Sequence, residues 1–248
     1  MSDTMTITEP TATSNLATSI PDVVSFDLYR DIHKAIRNEL FAVTSAAGSI
    51  DPSDVLARRD HAARVRALAD LLGHHAEHED SNLDEIISAV APHLQREISI
   101  AHGSLEAQVE SIADLAELGI SHDDARAAAH ALYLELAAFT AAYLHHQDFE
   151  ERVVMRVLDA HFDISELLTL HEQILGSVAP DVLMRCIELM LPAINVVERA
   201  EMLAGMRASA PAEAFDAVWS LAGNVLTTRE YLATASRLAL AVDPKLIG

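Results

Sequence analysis

Apolar residues recur at steps of three and four along most of the chain, which places them on one face of a helix. Turn signals such as "AAGSIDPSD" and "APHLQ" interrupt this periodicity and separate its long segments. The periodicity predicts four helices, at about 22–46, 52–90, 92–118 and 122–159. Long helices joined by short loops favour an antiparallel up-down four-helix bundle, which we assign to residues 22–160. The expected fold class is therefore all-α.

The regions on either side of this predicted bundle have a different character. Residues 1–21 lack a basic start followed by an apolar core, so we expect a disordered tail and no signal peptide. Between 161 and 248 the amphipathic segments are shorter and carry no dense cluster of histidines and acids. We expect these residues to form a C-terminal helical extension that packs on the bundle or serves as a homodimer surface.

Composition narrows the partners that the protein can have. The formal net charge of −21 repels phosphate groups and anionic lipid, so we expect no nucleic-acid or membrane partner, and cations are better candidates. No window approaches the roughly 20 consecutive apolar residues of a membrane span. The single cysteine, Cys186, provides neither a disulfide framework nor a cysteine metal site, and it fits a reducing cytoplasm.

Each of the four predicted bundle helices interrupts its core-facing apolar stripe with a histidine. On the second and fourth helices a glutamate follows four residues later, one turn along on the same face. The inward polar residues are His33, His75, Glu79, His102, His146 and Glu150. After Glu150 the stripe of the fourth helix continues through Val153 and Val157.

Other polar residues close to these six fall on the outer faces of the same helices. His74, His78 and His145 lie on paths that lead to polar or charged positions, so we expect them to face water. A histidine of this group would become a ligand only if the helix register differed by one residue. We expect Asp80 and Glu151 to be solvated as well.

Six polar side chains at one level of an apolar core require compensation. Burying one uncompensated carboxylate or imidazolium costs several kcal/mol, and a whole domain is stable by only about 5–15 kcal/mol. A set of hydrogen-bonded core histidines is one solution, and a metal ion is the other. Four imidazoles and two carboxylates suit borderline divalent ions, namely iron, manganese or zinc. We favour two ions bridged by the glutamates, because six protein ligands would saturate a single octahedral ion.

The combined pattern resembles the hemerythrin-like (HHE cation-binding) family over roughly residues 22–160. The matching segments are "DIHKAIRNEL", "HHAEHED", "ISIAHGSL" and "YLHHQDFEE". The resemblance implies a four-helix bundle that holds two iron ions, bridged by oxo or hydroxo and by two carboxylates, with the six inward residues as ligands. Residues 161–248 also resemble the helical extension of some bacterial hemerythrin-domain proteins, in particular through the run "MLPAIN".

The chain departs from the oxygen carriers of that family on its third helix. Those proteins place two histidines one turn apart there, whereas the residue one turn after His102 in this chain is Glu106, which we expect to face outward. Fewer imidazoles leave more metal positions open to other ligands. This departure argues against reversible oxygen carriage.

The resemblance implies a non-haem di-iron protein that binds or reduces oxygen species such as O2 or peroxide. As an enzyme it would be an oxidoreductase. Tyr29 and Tyr143 lie one turn from ligand histidines on the same stripes, and we expect their hydroxyl groups to donate hydrogen bonds to a bound oxygen ligand. Two alternatives stay open. One is an iron, oxygen or redox sensor, or an iron-buffering module, that signals through the C-terminal helices; the other is a di-iron oxygenase acting on an organic substrate.

Overall fold

A computed structural model describes residues 24–240, and every regular element in that range is helical. The elements are α1 (Arg30–Ala47), α2 (Val55–Val90), α3 (Pro92–Gly119), α4 (Ala125–Phe149), a π-helical turn (Glu150–Val154), α5 (Met155–His161), α6 (Ile164–Ser177), α7 (Pro180–Ala193), α8 (Val196–Ser209), α9 (Ala212–Val225) and α10 (Thr228–Arg237). The all-α prediction is confirmed for this range. The predicted tail at 1–21 and the part of the predicted extension after residue 240 lie outside it.

The first helix begins later than its periodicity predicts, at Arg30 instead of near position 22. The Asp27 carboxylate accepts hydrogen bonds from the backbone N–H groups of Tyr29 and Arg30, at 3.0 and 3.1 Å, and holds the chain in a turn before the helix. Ser25 donates its backbone N–H and its hydroxyl to Asp159 of α5. This first described segment therefore packs against the helices without belonging to one.

The helix predicted at 122–159 is interrupted by the π-helical turn that follows α4. A π turn contains more residues than an α turn, so it shifts every later side chain around the helix axis. The structure consequently buries Val154 and Leu158, both 0% exposed, whereas Val153 is 39% exposed. The expectation that the buried stripe continues through Val153 was wrong, and the π turn is the physical reason.

The helices before α7 bury their apolar side chains in two separate clusters. In this part of the chain α2 packs against α1 and α3, and α4 packs against α3 and α1. The first apolar cluster includes Ile36, Leu40, Leu68, Val109 and Leu136. The second apolar cluster includes Leu83, Ile87, Leu94, Ile98 and Leu158. Each buried leucine or isoleucine contributes about 1.5–3 kcal/mol. A short polar interval separates the two clusters along these helices, and it holds the candidate site.

Helices α7 to α10 form a third apolar cluster around Leu191, Leu203, Val218 and Ala222. Helix α7 also packs against α1, and α6 packs against α2. Inside this region the Arg199 side chain of α8 is 2% exposed. Its guanidinium donates to the backbone carbonyls of Leu191 and Ile194, at 2.7 and 2.8 Å, and to the hydroxyl of Thr234 at 3.3 Å. These hydrogen bonds join the C-terminal end of α7 to α8 and α10.

Among residues 24–240, one continuous helical segment, Ala125–His161, is long and apolar enough to cross a membrane by length and composition. Its most apolar window has a mean hydropathy of 1.2, and 28% of that window is buried. The core helix of a soluble protein passes the same test. The finding therefore does not by itself assign the segment to a membrane.

Candidate metal centre

The six inward residues lie together in the polar interval between the first and second apolar clusters. The structure brings together all six, namely His33, His75, Glu79, His102, His146 and Glu150. His33 is 0% exposed and Glu150 is 1% exposed, and the side chain of His75 is 9% exposed. A buried cluster of histidines and glutamates that can hold a metal ion is therefore present. The role of each residue as a ligand stays a prediction.

Two imidazoles from α1 and α2 face one oxygen of each glutamate. The Nε2 atoms of His33 and His75 are 3.2 Å apart. Glu79 Oε1 lies 3.1 Å from His75 Nε2 and 3.8 Å from His33 Nε2. Glu150 Oε2 lies 3.5 Å from His33 Nε2. We call these four atoms the first donor set.

Two imidazoles from α3 and α4 face the remaining oxygens of the same two glutamates. Glu79 Oε2 lies 3.3 Å from His102 Nε2. Glu150 Oε1 lies 3.1 Å from His146 Nε2 and 3.5 Å from His102 Nε2. These four atoms are the second donor set. Glu79 thus contributes one oxygen to each set, the arrangement of a carboxylate that lies between two binding positions, and Glu150 reaches the first set through His33 alone.

The four carboxylate oxygens of Glu79 and Glu150 are buried, and within residues 24–240 none of them takes part in a hydrogen bond of acceptable geometry. Buried polar atoms in proteins almost always have a partner, and each exception calls for an explanation such as a bound ion. Leaving a carboxylate unpaired in a protein interior costs several kcal/mol. The donor types fit a divalent transition metal, so a bound cation would account for these oxygens.

Two further carboxylates hold the outer nitrogens of the site histidines. His102 Nδ1 lies 2.7 Å from Asp80 Oδ1, and His33 Nδ1 lies 3.1 Å from Glu151 Oε1. An ionised carboxylate only accepts, so in each contact Nδ1 carries the proton and donates it. In the neutral imidazole this leaves the lone pair on Nε2, which points into the donor sets, and such partners orient metal-ligating histidines in many proteins.

The expectation that Asp80 and Glu151 are solvated holds only in part, because their side chains are 40% and 24% exposed but each also accepts a hydrogen bond from a site histidine. Each directly follows one of the glutamates of the site, so its side chain points towards a neighbouring helix instead of the centre. Asp80 reaches a histidine of α3, and Glu151 reaches a histidine of α1. The shared spacing His-x-x-x-Glu followed by an acid was the available signal, but it becomes informative only when the neighbouring helix is known.

The charged groups of the site shift one another's pKa values. Burial lowers the pKa of His33, but the carboxylates of Glu151 and Glu79 outweigh burial and raise it to about 9. Burial also lowers the pKa of His102, but Glu150 and Glu79 raise it to about 11. Without a metal ion, therefore, imidazolium charges balance the buried carboxylates. A cation that binds here displaces those protons.

His75 and Glu79 show opposite balances of burial and charge. Burial dominates at His75 and lowers its pKa to about 4, so this imidazole is neutral at pH 7. Burial would raise the pKa of Glu79, but its interactions with the neighbouring imidazoles of His75, His102 and His33 outweigh burial and hold it well below its usual range. A neutral imidazole beside an ionised carboxylate is the protonation state that a metal ion requires of its ligands.

The residues expected on outer faces mostly lie there. His74, His145 and Glu106 are exposed, as the periodicity predicts. His78 is half-buried, and its Nδ1 lies 3.4 Å from the hydroxyl of Ser177 in α6. The helix register used to choose His75 over His74, and His146 over His145, is therefore correct.

The two tyrosines flank the site from within the core. Tyr29 is 2% exposed and its ring lies 5.0 Å from the ring of His33; Tyr143 is 4% exposed and its ring lies 5.8 Å from that of His146. Burial, followed by the negative charges of the two site glutamates, raises the pKa of both phenols well above the ordinary value. Both hydroxyls therefore stay protonated and able to donate. Their hydrogen bond to a bound oxygen ligand stays a prediction.

Sequence periodicity did not single out Gln147, which is 0% exposed and follows His146 directly. Within residues 24–240 both polar atoms of its amide are buried without a hydrogen-bond partner. Its position one turn after Tyr143 on the buried side of α4 was the available signal. Water or a ligand is the ordinary partner of such an amide.

Comparison of the chain with protein-family models, with curated proteins and with solved structures finds no match in any of the three. The assignment of a function therefore depends on the geometry and chemistry of the site.

Proposed function

We propose that this protein is a hemerythrin-like, non-haem di-iron protein that binds or reduces oxygen species such as O2 or peroxide. One observation carries the proposal: both oxygens of Glu79 and of Glu150 are buried without hydrogen bonds, and each glutamate presents one oxygen to each of two histidine pairs. Two metal ions that share two carboxylates would use all four oxygens and all four imidazoles.

The order of the apolar clusters supports an antiparallel up-down bundle. From Tyr29, directly before α1, to the end of α1 the chain passes from the second apolar cluster to the first, and along α2 it passes from the first to the second. Helix α3, and then α4 with its continuation through the π-helical turn into α5, repeat this alternation. In a four-helix bundle with up-down topology each successive helix reverses in this way, so that the polar residues of all four meet at one level.

The residues of the chain would divide the work at this centre. The four imidazoles and two glutamates of the donor sets would hold the ions, and iron is proposed because of the family resemblance and because these donors suit it. Iron bound there would supply electrons to an oxygen species. The apolar clusters on both sides exclude bulk water from the polar interval. Tyr29 and Tyr143 would provide hydrogen-bond donors.

The metal content of the purified protein tests this proposal directly. Protein expressed with iron and purified without chelator should contain about two iron ions per chain, as expected for carboxylate-bridged sites of this kind. His75→Ala and His146→Ala should lower that content. The exposed neighbours provide matched controls, because His74→Ala and His145→Ala remove the same group from the same helices and should leave it unchanged. Folded wild-type protein that binds one ion or none would contradict the proposal.

Reactivity is tested separately once the metal content is known. An oxygen electrode should record oxygen evolution from peroxide, or uptake of O2 by the reduced protein, and the His75→Ala variant should lose this signal. Tyr29→Phe and Tyr143→Phe should change the spectrum of the oxidised protein or slow its oxygen reaction. Unchanged behaviour of both variants would exclude the role proposed for the tyrosines.

A sensor or iron-buffering module is the second candidate, and one set of contacts favours it. Helix α1, which carries His33, packs against α7 of the C-terminal region. Lys34, the residue after His33, pairs with Glu198 of α8, and Arg30 pairs with Glu201 at 3.5 Å. A shift of α1 on metal binding would be passed to these helices. Metal-dependent protease sensitivity after residue 161, abolished by Lys34→Met, would support this function.

For an oxygenase acting on an organic substrate, the structure provides no comparable support. A groove of about 490 Å³ lies between α1, α2, α7 and α9, where the C-terminal region meets the first helices. Leu68, Leu71 and Leu221 line it together with charged residues. None of the six site residues lines this groove. Uptake of O2 that depends on an added organic substrate would be needed to support an oxygenase function.

A further inference from the structure

The two outer carboxylates of the site are not equivalent. Asp80 Oδ1 lies 2.7 Å from His102 Nδ1, and within residues 24–240 Asp80 has no basic partner besides this imidazole. Glu151 Oε1 lies 3.1 Å from His33 Nδ1, and the same oxygen accepts a hydrogen bond from Arg37 Nη1 at 2.7 Å. Glu151, which contacts a histidine of the first donor set, is thus shared with the guanidinium of Arg37. Asp80, which contacts a histidine of the second donor set, is not shared with an arginine.

This difference changes how strongly each imidazole can bind a cation. A carboxylate that accepts the Nδ1–H bond increases the basicity of the ligating Nε2, and loss of such a partner costs about 10–100-fold in metal affinity. The Glu151 oxygen divides its negative charge between Arg37 and His33, and its contact to the imidazole is the longer of the two. The positive charge of Arg37 lies 2.7 Å from the carboxylate oxygen that contacts His33, on the side of the first donor set, where it would oppose a bound cation.

We infer that the two metal positions are unequal: the second donor set, backed by Asp80, binds its ion more tightly and fills first, and Arg37 weakens the first donor set. This inference rests on the proposed function, since it requires that both donor sets bind metal. Asp80, Glu151 and Arg37 act through His102 and His33, so they are positioning residues. At limiting metal the chain holds one ion, on the side of His102 and His146.

Titration of the metal-free protein with Co2+ against a competing chelator tests this inference without any measurement of activity. The wild type should show two steps, of one ion each, that differ at least several-fold in affinity. Asp80→Asn should weaken the tighter step by about 10–100-fold. Arg37→Gln should strengthen the weaker step and bring the two steps closer together. The visible absorption bands of bound Co2+ follow each step, and the step that Asp80→Asn weakens is the one that fills the second donor set.

Two further variants separate charge from structure. Arg37→Lys retains a positive charge and should preserve the unequal steps. Arg64→Gln removes an arginine that pairs with Glu39, at 2.7 Å, away from the site acids, and should leave both steps unchanged. A merely structural role for Arg37 predicts the opposite sign for Arg37→Gln, because a less ordered site binds metal more weakly at both positions.

The outcomes distinguish the inference from the proposed function. Two ions that bind with equal affinity in the wild type, or an Arg37→Gln variant whose weaker step becomes weaker still, would overturn the inference and leave a dimetal centre in place. Folded wild-type protein that binds fewer than two ions would overturn the proposed function, and the inference with it.

Discussion

The protein buries charged side chains in two regions and satisfies them in different ways. In the C-terminal region the guanidinium of Arg199 donates to the carbonyls of Leu191 and Ile194 and to the hydroxyl of Thr234. Between the first and second apolar clusters, the four oxygens of Glu79 and Glu150 accept no hydrogen bond from any described residue. Both regions therefore bury charge, but only in the second do the buried charged atoms lack a hydrogen bond from the described residues, with the nearby imidazolium groups as their counter-charges.

The comparison separates a structural charge from a candidate ligand. A buried group whose hydrogen bonds are made within the chain stabilises one arrangement of helices and needs nothing else. A buried group that lacks such bonds is a candidate for a partner from outside the chain. Arg199 should therefore matter for stability alone, and the two glutamates should matter through the metal.

Removal of the metal should produce the largest effect. A ligand that binds only the folded state, at about 1,000 times its Kd, stabilises it by about 4.1 kcal/mol per site. Chelator treatment should lower the free energy of unfolding, measured in urea, by about that amount for each ion lost. Glu150→Gln retains the side-chain shape but not the bridging charge, so chelator should have no effect on this variant. If chelator treatment left the urea midpoint of the metal-loaded wild type unchanged, that result would contradict the expected role of the glutamates.

Loss of the buried guanidinium should have the next largest effect. Arg199→Met leaves two carbonyls without their donor, and each unsatisfied buried polar group costs about 1–3 kcal/mol. We expect the free energy of unfolding to fall by about 2–4 kcal/mol, with and without metal, while the metal content stays at the wild-type level. Arg207, which is exposed and donates to the carbonyl of Leu238, is the matched control. A lower metal content in Arg199→Met would contradict the expectation that Arg199 affects stability alone.

The π-helical turn that carries Glu150 predicts a smaller contrast between adjacent valines. Val154 is 0% exposed and Val153 is 39% exposed. Val154→Ala should therefore cost about 2 kcal/mol, because it removes buried methyl groups and leaves a cavity. Val153→Ala should change the free energy of unfolding by less than about 0.5 kcal/mol. The reverse order would mean that the helix continues without the turn, and that Glu150 enters the site in a different way.

Helical periodicity located the six central residues because each belongs to a local pattern on its own helix. The periodicity of three and four that places Leu72 in the core also places His75 there, and no knowledge of other helices is needed. Asp80 and Glu151 were predicted only in part, because their partners lie on neighbouring helices. Val153 was misassigned because no local signal marks a π turn.

The other buried polar groups show the same limit of sequence reasoning. Arg199 sits in an amphipathic segment, where an arginine ordinarily faces water. Its burial depends on carbonyls at the end of α7 and on a hydroxyl of α10, which only the folded chain brings together. Helix α1 starts later than predicted for a similar reason, because the Asp27 side chain accepts hydrogen bonds from the backbone N–H groups of Tyr29 and Arg30.

The pH dependence of metal binding should be the smallest of these effects for each pH unit, and its direction is fixed by the pKa shifts of the site histidines. In the metal-free protein the pKa of His33 is raised to about 9 and that of His102 to about 11, so both imidazoles are protonated at pH 7. Each ion must displace one of these protons, one from each donor set. Affinity should therefore rise about tenfold per ion for each pH unit, or about 1.4 kcal/mol, as the pH increases from 6.5 to 8.

The same pKa shifts fix the stability of the metal-free form. The folded-state pKa of His33 lies above the unfolded value of about 6.5, so its stabilising contribution is complete below that pH and is lost as the pH rises towards 9. Metal-free protein should become less stable over this range, while the loaded protein should not. Calorimetry in buffers of different ionisation enthalpy should count about two protons released per chain on loading. Metal loading without proton release would mean that a group other than these imidazolium ions balances the buried carboxylates in the metal-free protein. The site would then differ from Arg199 for a reason other than the exchange of protons for metal cations.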